Sequence, residues 1–196
     1  TGHLSLYHLT MEPNTVFAKY PPKVPDDDAS AAMQDRIVEL TAAAGWERYE
    51  VSAYARPGQA CQHNLNYWRF GDYLGIGPGA HSKLSFQDRI LRQARSRMPD
   101  SWMRQALARD GSHIAEERVL GAADLGFEFM LNALRLRDGV EGGLFIERTG
   151  LSLMSILPAM RHAAERGLLE PGLEQIRATP LGWRFLNELQ MEFLAE

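Results

Sequence analysis

Hydrophobic and polar residues alternate in two short segments near the start of the chain, with a helical pattern between them. His3 to Leu9 (HLSLYHL) and the run WERYEVSAY after Gly45 have the period of two that is typical of β-strands. Between these segments, apolar residues recur at helical spacing from Met33 to Leu40, behind the cap-forming carboxylates of Asp26 to Asp28. The pattern predicts a strand, a loop, a helix that ends at Gly45, and a second strand.

That order of elements predicts a right-handed parallel β-α-β unit, because a helix that joins two parallel strands of one sheet crosses over in that sense. The proline-containing stretch MEPNTVFAKYPPKVPDDD after the first strand predicts a loop without a helix. Two strands can neither close a barrel nor cover both faces of a parallel sheet. We therefore expect the last part of a TIM-like α/β-barrel, with its missing N-terminal portion upstream of Thr1 or on another subunit.

The middle of the chain has no regular period and is dense in glycine, asparagine and aromatic residues. From Arg56 to Phe86 this composition predicts a built loop. The arginine-rich stretch after Arg89, with one helix near Ser101 to Arg109, predicts a link between domains. The predicted division is a barrel portion at 1–88, a linker at 89–115 and a C-terminal domain at 116–196.

Helical periods dominate after Glu116. Two apolar faces are expected in the C-terminal core: Phe127, Met130, Leu131 and Leu134, and then Leu153, Ile156, Leu157, Met160 and Ala164. Gly167 ends the second of these helices, a Pro-Gly turn follows within LLEPGLEQIRAT, and Thr179 caps a last helix. The order of helix, short helix, helix, hairpin and helix predicts a winged-helix-like domain. The fold class is thus α/β in the first part and α+β overall.

Composition and charge narrow the range of functions. The 196 residues are 45% apolar and 23% charged, which is typical of a globular protein. Cys61 is the single cysteine, so an internal disulfide and a multi-cysteine metal site are excluded. The sequence shows neither a signal segment nor an apolar run of membrane-spanning length, and we expect a cytoplasmic protein without a membrane segment.

The winged-helix order also suggests nucleic-acid binding, with Arg161, His162 and Arg166 on the candidate recognition helix. Charge argues against this hypothesis. From Glu141 to Glu196 the chain has five Arg and eight Glu, a net charge of −3, and the whole chain has a net charge of −4. Such a surface repels phosphates, so a module that packs over a neighbouring pocket is the better interpretation.

The densest group of chemically useful residues lies in HNLNYW and GIGPGAH. Carboxamides and an indole offer directional hydrogen bonds and a stacking surface, and glycines allow the backbone to approach a ligand closely. These residue types predict a pocket for a flat or nucleotide-like ligand, and the candidates are His63, Asn64, Asn66, Tyr67, Trp68, Gly77, Gly79 and His81. A purely structural loop, with asparagines in turns and glycines in left-handed positions, remains the alternative.

Spacing excludes several well-known sites. GIGPGAH has neither the spacing nor the following helix of a dinucleotide fingerprint, and it lacks the Lys-Ser/Thr pair of a phosphate loop. Cys61 and His63 are close in sequence, but no second pair accompanies them, which argues against a zinc site. Tyr7, Thr10 and Glu12 lie at the C-terminal end of the first predicted strand, where barrel folds carry their active sites. A structural role fits Glu12 equally well.

The same motifs resemble a known family over nearly the whole length of the chain. HLSLYHLTMEPNT, YEVSAYARPG, CQHNLNYWRFGDYLGIGPGAH and TPLGWRFLNEL are similar to segments of the radical SAM heme chaperones of the HemW type. This group is related to the oxygen-independent coproporphyrinogen III oxidases. HNLNYW is the specific part of the resemblance, since the true oxidases carry a different sequence there, and it favours the chaperone branch.

The resemblance implies a barrel that holds a 4Fe-4S cluster on three cysteines and binds S-adenosylmethionine (SAM). No three-cysteine loop exists in this chain, so the cluster is expected in the missing part of a parent protein. By the same resemblance, Tyr7, Leu9, Thr10 and Glu12 lie beside the SAM pocket. His63 is then the expected heme-iron ligand, with the adjacent aromatic rings stacked on the macrocycle.

Asn66 and His81 take expected roles from the related oxidases, in which the same region contacts a second SAM. Ser82 departs from the family pattern, which usually has glycine there. Two functions stay open for the parent protein, and whether it is an enzyme stays open with them. It is either a chaperone that passes heme to a heme-accepting protein, or an oxidase that decarboxylates coproporphyrinogen III. The oxidase needs arginines for the substrate's carboxylates, and the candidates are Arg69, Arg92 and Arg95.

Overall fold

The computed structural model describes residues 1–194, which form two compact units that divide between Gln62 and His63. Each unit combines short strands with helices, so the mixed α/β class is confirmed. The elements of the first unit are β1 (His3–Ser5), α1 (Val16–Lys19), α2 (Asp27–Ala43), β2 (Glu47–Glu50) and β3 (Ala53–Ala55).

In the first unit, β3 lies in the middle of a three-stranded sheet of order β1-β3-β2. Both neighbours run antiparallel to it, with Leu4 opposite Tyr54 on one side and Arg48 opposite Tyr54 on the other. Tyr54 is 1% exposed, and Ala53 and Ala55 are buried with it. The core of this small sheet is therefore β3.

The predicted parallel relation holds for β1 and β2, because both run antiparallel to β3, but the two strands are not neighbours, since β3 lies between them. The alternating run WERYEVSAY forms two strands, because the chain turns back at Val51 and Ser52. The Glu50 carboxylate accepts hydrogen bonds from the backbone nitrogen and the hydroxyl of Ser52 (3.1 and 3.2 Å), and Arg48 Nε donates to the Val51 carbonyl (3.1 Å). Alternation continues through this turn, so the period alone does not reveal it.

The first strand is shorter than predicted, and the expected loop contains a helix. β1 ends after three residues because its partner β3 is equally short, and the next residue, Leu6, donates to the Ser52 carbonyl (2.9 Å). Thr15 accepts a hydrogen bond from the backbone nitrogen of Ala18 (3.1 Å) and thereby caps α1. Every residue of the stretch 7–29 is exposed.

The sequence signals for α2 are confirmed. The Asp26 carboxylate accepts a hydrogen bond from the backbone nitrogen of Ala29 (2.8 Å). Asp27 and Asp28 stand in the first turn, where carboxylates favour the positive end of the helix dipole. Gly45, with a φ of 82°, takes the left-handed conformation that ends the helix.

The second unit begins one residue inside α3, which is followed by a three-stranded sheet. α3 (Gln62–Trp68) contains HNLNYW, so the loop predicted at this motif is wrong. The next elements are β4 (His81–Ser85), β5 (Ile90–Arg95), α4 (Pro99–Ala108), β6 (Ile114–Val119) and α5 (Ala122–Ala133). The sheet has the order β4-β5-β6 with antiparallel neighbours. The segment interpreted as a link between domains, 89–115, supplies the central strand β5 and the first two residues of β6.

The C-terminal part consists of short helices and a two-stranded sheet. Its elements are β7 (Val140–Glu141), α6 (Gly142–Thr149), a 3-10 turn (Leu153–Ser155), α7 (Leu157–Glu165), β8 (Gln175–Ile176), α8 (Pro180–Arg184) and α9 (Leu186–Met191). Gly167 (φ 71°) follows α7, and Thr179 accepts a hydrogen bond from the Gly182 nitrogen (3.0 Å) at the start of α8, as predicted. The single last helix expected from the sequence is broken at Phe185.

The core of the second unit is aromatic. Phe129 and Phe145 have no exposed surface, and their rings meet edge to face with centroids 5.1 Å apart. Phe70 lies 5.8 Å from Phe129 and is also buried. Within residues 1–194, no helix combines the length and the apolar content needed to cross a membrane.

The buried face of α5 is rotated relative to the predicted one. Met130 and Leu134 are buried as expected, whereas Leu131 is 38% exposed and Phe127 is partly exposed. The buried residues of α5 are Leu125, Gly126, Phe129, Met130 and Ala133. Phe127 and Leu131 instead line a cleft, which accounts for their exposure.

Candidate functional site

The motif HNLNYW and the segment after it form a stack of three rings. His63 and Tyr67 are one helical turn apart on α3, and their rings meet edge-on with centroids 4.8 Å apart. Tyr67 also packs against Tyr73, with centroids 4.3 Å apart and the rings tilted by 37°. His63 is exposed, whereas Tyr67 and Tyr73 are partly buried. The two tyrosines therefore support an exposed imidazole.

A sharp turn after α3 brings Tyr73 back to the helix. Phe70 takes a left-handed conformation (φ 55°), and the Gly71 nitrogen donates to the Asn66 carbonyl (2.7 Å). A Cβ atom at position 71 would lie 2.0 Å from Asn66 Oδ1 and 2.8 Å from the Asn66 carbonyl oxygen, so the turn requires glycine there. Asn66 Nδ2 donates to the Asp72 carbonyl (2.8 Å), which gives Asn66 a structural task in this turn.

An arginine side chain lies over the ring of Trp68, the last residue of the motif. The Arg135 guanidinium lies 4.3 Å from the ring centroid, which is a cation–π distance. The indole Nε1 is buried and has no hydrogen-bond partner among residues 1–194. Stacking of a macrocycle on this face of Trp68 requires Arg135 to move.

Asp72 and Lys83 form an ion pair directly behind the turn. Lys83 Nζ lies 2.9 Å from Asp72 Oδ1, and the Lys83 side chain is 1% exposed. Burial lowers the pKa of Lys83, and the hydrogen bond to Asp72 offsets only part of that effect. Burial on its own would raise the pKa of Asp72, but hydrogen bonds from Ser85 and Lys83 outweigh it and hold that pKa below the usual value. The pair fixes β4 to the residue before Tyr73.

A cleft of about 650 Å³ lies between the β4-β5-β6 sheet and α5. The strand register aligns Arg92 with Arg118, and it aligns His81 with Ala94 at the end of the sheet nearer the glycine loop. The sheet contributes His81, Arg92 and Arg118 to the lining, and α5 contributes Phe127, Glu128 and Leu131. The cleft thus has charged and apolar walls, and it contains one of the predicted ligand residues, His81.

Ion pairs bind the two walls of the cleft together. Arg92 donates from Nε and Nη2 to Glu128 Oε2 (2.8 and 2.6 Å) and from Nη1 to the Tyr73 hydroxyl. Arg118 bridges Glu128 (3.1 Å) and Asp124 (2.9 Å). Burial raises the pKa of Tyr73 despite the nearby charge of Arg92, so the phenol stays protonated at neutral pH.

The glycines of GIGPGAH shape the turn that leads into β4. Gly77 and Gly79 have positive φ angles, 102° and 71°. The Gly75 nitrogen donates to Ser82 Oγ (3.0 Å), and a Cβ atom at position 75 would lie 2.2 Å from the His81 carbonyl oxygen. Ser82, the residue that departs from the family pattern, is 1% exposed and ties the loop to the strand.

Gly75→Ala is expected to lower the free energy of unfolding by about 1–3 kcal/mol, because the added methyl group must push the loop away from the backbone of His81. Urea denaturation followed by tryptophan fluorescence measures the change. Gly143→Ala is the matched control, since nothing lies within 4 Å of a Cβ atom there and alanine favours a helix. Equal stability of the two variants would show that the loop accommodates the added methyl group without a measurable energetic cost.

The predicted site residues fall into two groups. His63, Tyr67 and the cleft that contains His81 belong to the second unit, and Tyr73 both contacts Tyr67 and lines that cleft. The residues expected beside SAM lie in the first unit past the end of β1, and all are exposed; they are Tyr7, Leu9, Thr10 and Glu12. Their contact with a ligand stays a prediction.

Sequence reasoning misses two residues of this arrangement, Tyr73 and Glu128. Tyr73 lies in the segment GDYLG directly after the motif, so an aromatic residue near HNLNYW was a usable signal. Glu128 has no such signal, because its partner Arg92 belongs to another element and only the fold brings them together.

The residues of this chain do not fit a 4Fe-4S cluster. Cys61 is the one cysteine in the sequence, and it forms no disulfide. Among residues 1–194, no three His, Cys, Asp or Glu side chains gather as potential metal ligands. A cluster needs cysteines from outside this sequence.

Comparison with known proteins identifies relatives along the whole chain. Residues 120–185 match the family model of the HemN C-terminal domain. The heme chaperone HemW of Escherichia coli K12 is 46% identical over 99% of this chain and 50% of that protein, and the HemW of Haemophilus influenzae is 42% identical over 99% and 49%. The mouse protein named radical S-adenosyl methionine domain-containing protein 1, mitochondrial, is 33% identical over 99% of this chain and 46% of its own length.

A solved structure shares the fold. It is coproporphyrinogen III oxidase (HemN) from Escherichia coli, named as a radical SAM enzyme, with a TM-score of 0.71 and 15% identity over 98% of this chain and 48% of that one. The chain spans about half the length of the curated relatives it matches. Over nearly its whole length, the chain is thus similar in sequence to about half of the proteins named heme chaperone HemW and radical S-adenosyl methionine domain-containing protein 1, and similar in fold to HemN.

Proposed function

We propose that this chain is about half of a radical SAM heme chaperone, which binds heme and delivers it to target proteins. Relatives that match nearly all of the chain carry the name heme chaperone HemW. The observation that carries the proposal is the exposed imidazole of His63, which Tyr67 holds edge-on at 4.8 Å within HNLNYW. A neutral imidazole is a common axial ligand of heme iron.

In this proposal Tyr67 supports the ligand, while other residues face the bound molecules. The Tyr67 ring already meets His63 and Tyr73, so its task is to orient the imidazole. The rest of the heme-facing or SAM-facing surface of the second unit is proposed to comprise Asn64, Asn66, Trp68, Gly77, Gly79 and His81. For the first unit, the proposed SAM contacts are Tyr7, Leu9, Thr10 and Glu12.

Residues 1–88 are proposed to complete a radical SAM barrel whose other strands and cluster cysteines lie outside this sequence. Residues 89–115 are proposed to connect this barrel portion to a winged-helix-like domain at 116–196. The proposed location of the parent protein is the cytoplasm. Glu192 accepts from His162 (2.6 Å) and pairs with Arg166, so two of the three basic residues of the candidate recognition helix bind an internal carboxylate rather than nucleic acid.

The alternative function is the oxidase reaction, which the shared fold with HemN favours. Its porphyrinogen substrate carries carboxylates, and two of the three candidate arginines already have partners. Arg92 is paired with Glu128, and Arg95 Nε donates to the Gly75 carbonyl (2.8 Å). An anaerobic assay of the parent protein with a reconstituted cluster separates the two functions: protoporphyrinogen would favour the oxidase, and its absence with intact SAM cleavage would favour the chaperone.

His63→Ala in the parent protein is expected to abolish the shift of the Soret band that hemin shows on binding, because the variant lacks the proposed axial donor. His162→Ala is the control, since this exposed histidine pairs with Glu192 on another helix. Titration of hemin followed by absorbance measures both variants. A wild-type protein without a Soret shift would refute heme binding, and an unchanged shift in His63→Ala would refute the ligand assignment alone.

A further inference from the structure

A continuous series of contacts leads from His63 to helix α5. Tyr67 touches His63, and Tyr73 touches Tyr67, at centroid distances of 4.8 and 4.3 Å. The Tyr73 hydroxyl accepts from Arg92 Nη1, and Arg92 is held by Glu128 through two hydrogen bonds of 2.8 and 2.6 Å. Every step is a direct contact, and the last residue belongs to α5.

The end of this series is well anchored. The side chains of Arg92 and Glu128 are 26% and 16% exposed, so their charges are poorly screened and their rotamers are restricted. Each of the three guanidinium nitrogens of Arg92 donates a hydrogen bond, Nε and Nη2 to Glu128 and Nη1 to Tyr73. A guanidinium that donates in its plane to two fixed acceptors has little freedom, so the Tyr73 ring has little freedom either.

We propose that Arg92 and Glu128 are positioning residues that set the orientation of the His63 imidazole through Tyr73 and Tyr67. This inference rests on the proposed function insofar as His63 is the heme ligand. Glu128 lies within residues 120–185, which match the HemN C-terminal domain. The C-terminal domain thereby contributes to heme binding indirectly, through the orientation of His63.

The test compares three conservative variants of the parent protein. Tyr73→Phe removes only the hydroxyl that Arg92 binds, and Glu128→Gln keeps the shape of the side chain but removes its charge. Arg118→Gln is the matched control, because Arg118 binds Oε1 of Glu128 (3.1 Å) whereas Arg92 binds Oε2, so the hydrogen bonds of Arg92 to Glu128 and Tyr73 remain in this variant. Two readouts are used: the NMR resonance of the His63 Hε1 proton without heme, and the hemin affinity from the Soret band.

In Tyr73→Phe and Glu128→Gln, the His63 Hε1 resonance is expected to move towards that of a histidine without a ring neighbour, and hemin affinity to fall by about tenfold. Arg118→Gln should change neither. An unmoved resonance in both test variants, or an equal movement in Arg118→Gln, would overturn the proposal. A wild-type protein that binds no hemin would refute the proposed function, while the NMR readout still decides the positioning role.

Discussion

Asp72→Ala is expected to lower the free energy of unfolding by about 3 kcal/mol, because it leaves the buried Lys83 ammonium without its anionic partner. Lys83 keeps the Ser85 hydroxyl (3.1 Å) and the Phe70 ring (4.2 Å) as neighbours, neither of which carries a charge. Ser85 also loses two hydrogen bonds, since its backbone nitrogen and its hydroxyl donate to the Asp72 carboxylate (2.9 and 2.7 Å). Urea denaturation measures the loss.

The control for this variant is Asp88→Ala. Asp88 pairs with Arg89 at 2.9 Å, but both side chains are exposed (69% and 45%), so water replaces the interaction and no measurable loss is expected. Similar losses in the two variants would show that burial of Lys83 is not the cause.

The loss in Asp72→Ala is also expected to depend on pH. Burial lowers the pKa of Lys83 and Asp72 partly offsets this effect, so in Asp72→Ala the folded state releases the Lys83 proton at a still lower pH and stability rises more steeply with pH than in the wild type. The deficit of the variant should therefore shrink between neutral pH and about pH 10. In the wild type, the contribution of Asp72 is present above the pKa of an unfolded aspartate and is lost as the pH falls through its lower, folded pKa. A deficit that stays constant up to alkaline pH would contradict the buried charge.

Helix ends can be predicted from this sequence where one residue decides them. The Asp26 carboxylate, the left-handed Gly45 and the Thr179 hydroxyl each act on backbone groups within a few residues, so their effect can be read locally. Strand pairing cannot be read in this way. The turn at Val51 and Ser52 leaves the alternation of WERYEVSAY intact, so the pattern does not reveal that a separate strand, β3, pairs between β1 and β2.

The same difference between local signals and tertiary contacts applies to the candidate site. Residue types identify HNLNYW as chemically rich, because imidazole, carboxamide and indole groups stand together in the sequence. They do not show that the motif is helical, since asparagine and glycine nearby favour turns, nor that Tyr67 and His63 meet across one helical turn. In the proposed arrangement, Arg92 and Glu128 hold this pair of rings in position through Tyr73. Arg92 lies on a strand and Glu128 on a helix, and only tertiary packing brings them together.

Phe129→Ala is expected to lower the free energy of unfolding by about 3–5 kcal/mol, because the cavity opens in a core with no exposed surface. Phe129 lies between Phe70 and Phe145, at centroid distances of 5.8 and 5.1 Å, so the variant also loses two edge-to-face contacts. Phe70 ends the turn after α3, and its loosening should mobilise the ring stack of Tyr67.

Phe185→Ala provides the comparison that separates a cavity from a mere loss of aromatic surface. Phe185 stands at the break between α8 and α9 and is 50% exposed, so its loss should cost less than about 1 kcal/mol. Denaturation curves give the two stabilities, and the His63 Hε1 resonance should move in Phe129→Ala but not in Phe185→Ala. A destabilised Phe129→Ala with an unmoved His63 resonance would mean that the aromatic core and the motif helix are mechanically independent. The position of the imidazole would then not depend on the packing of Phe129.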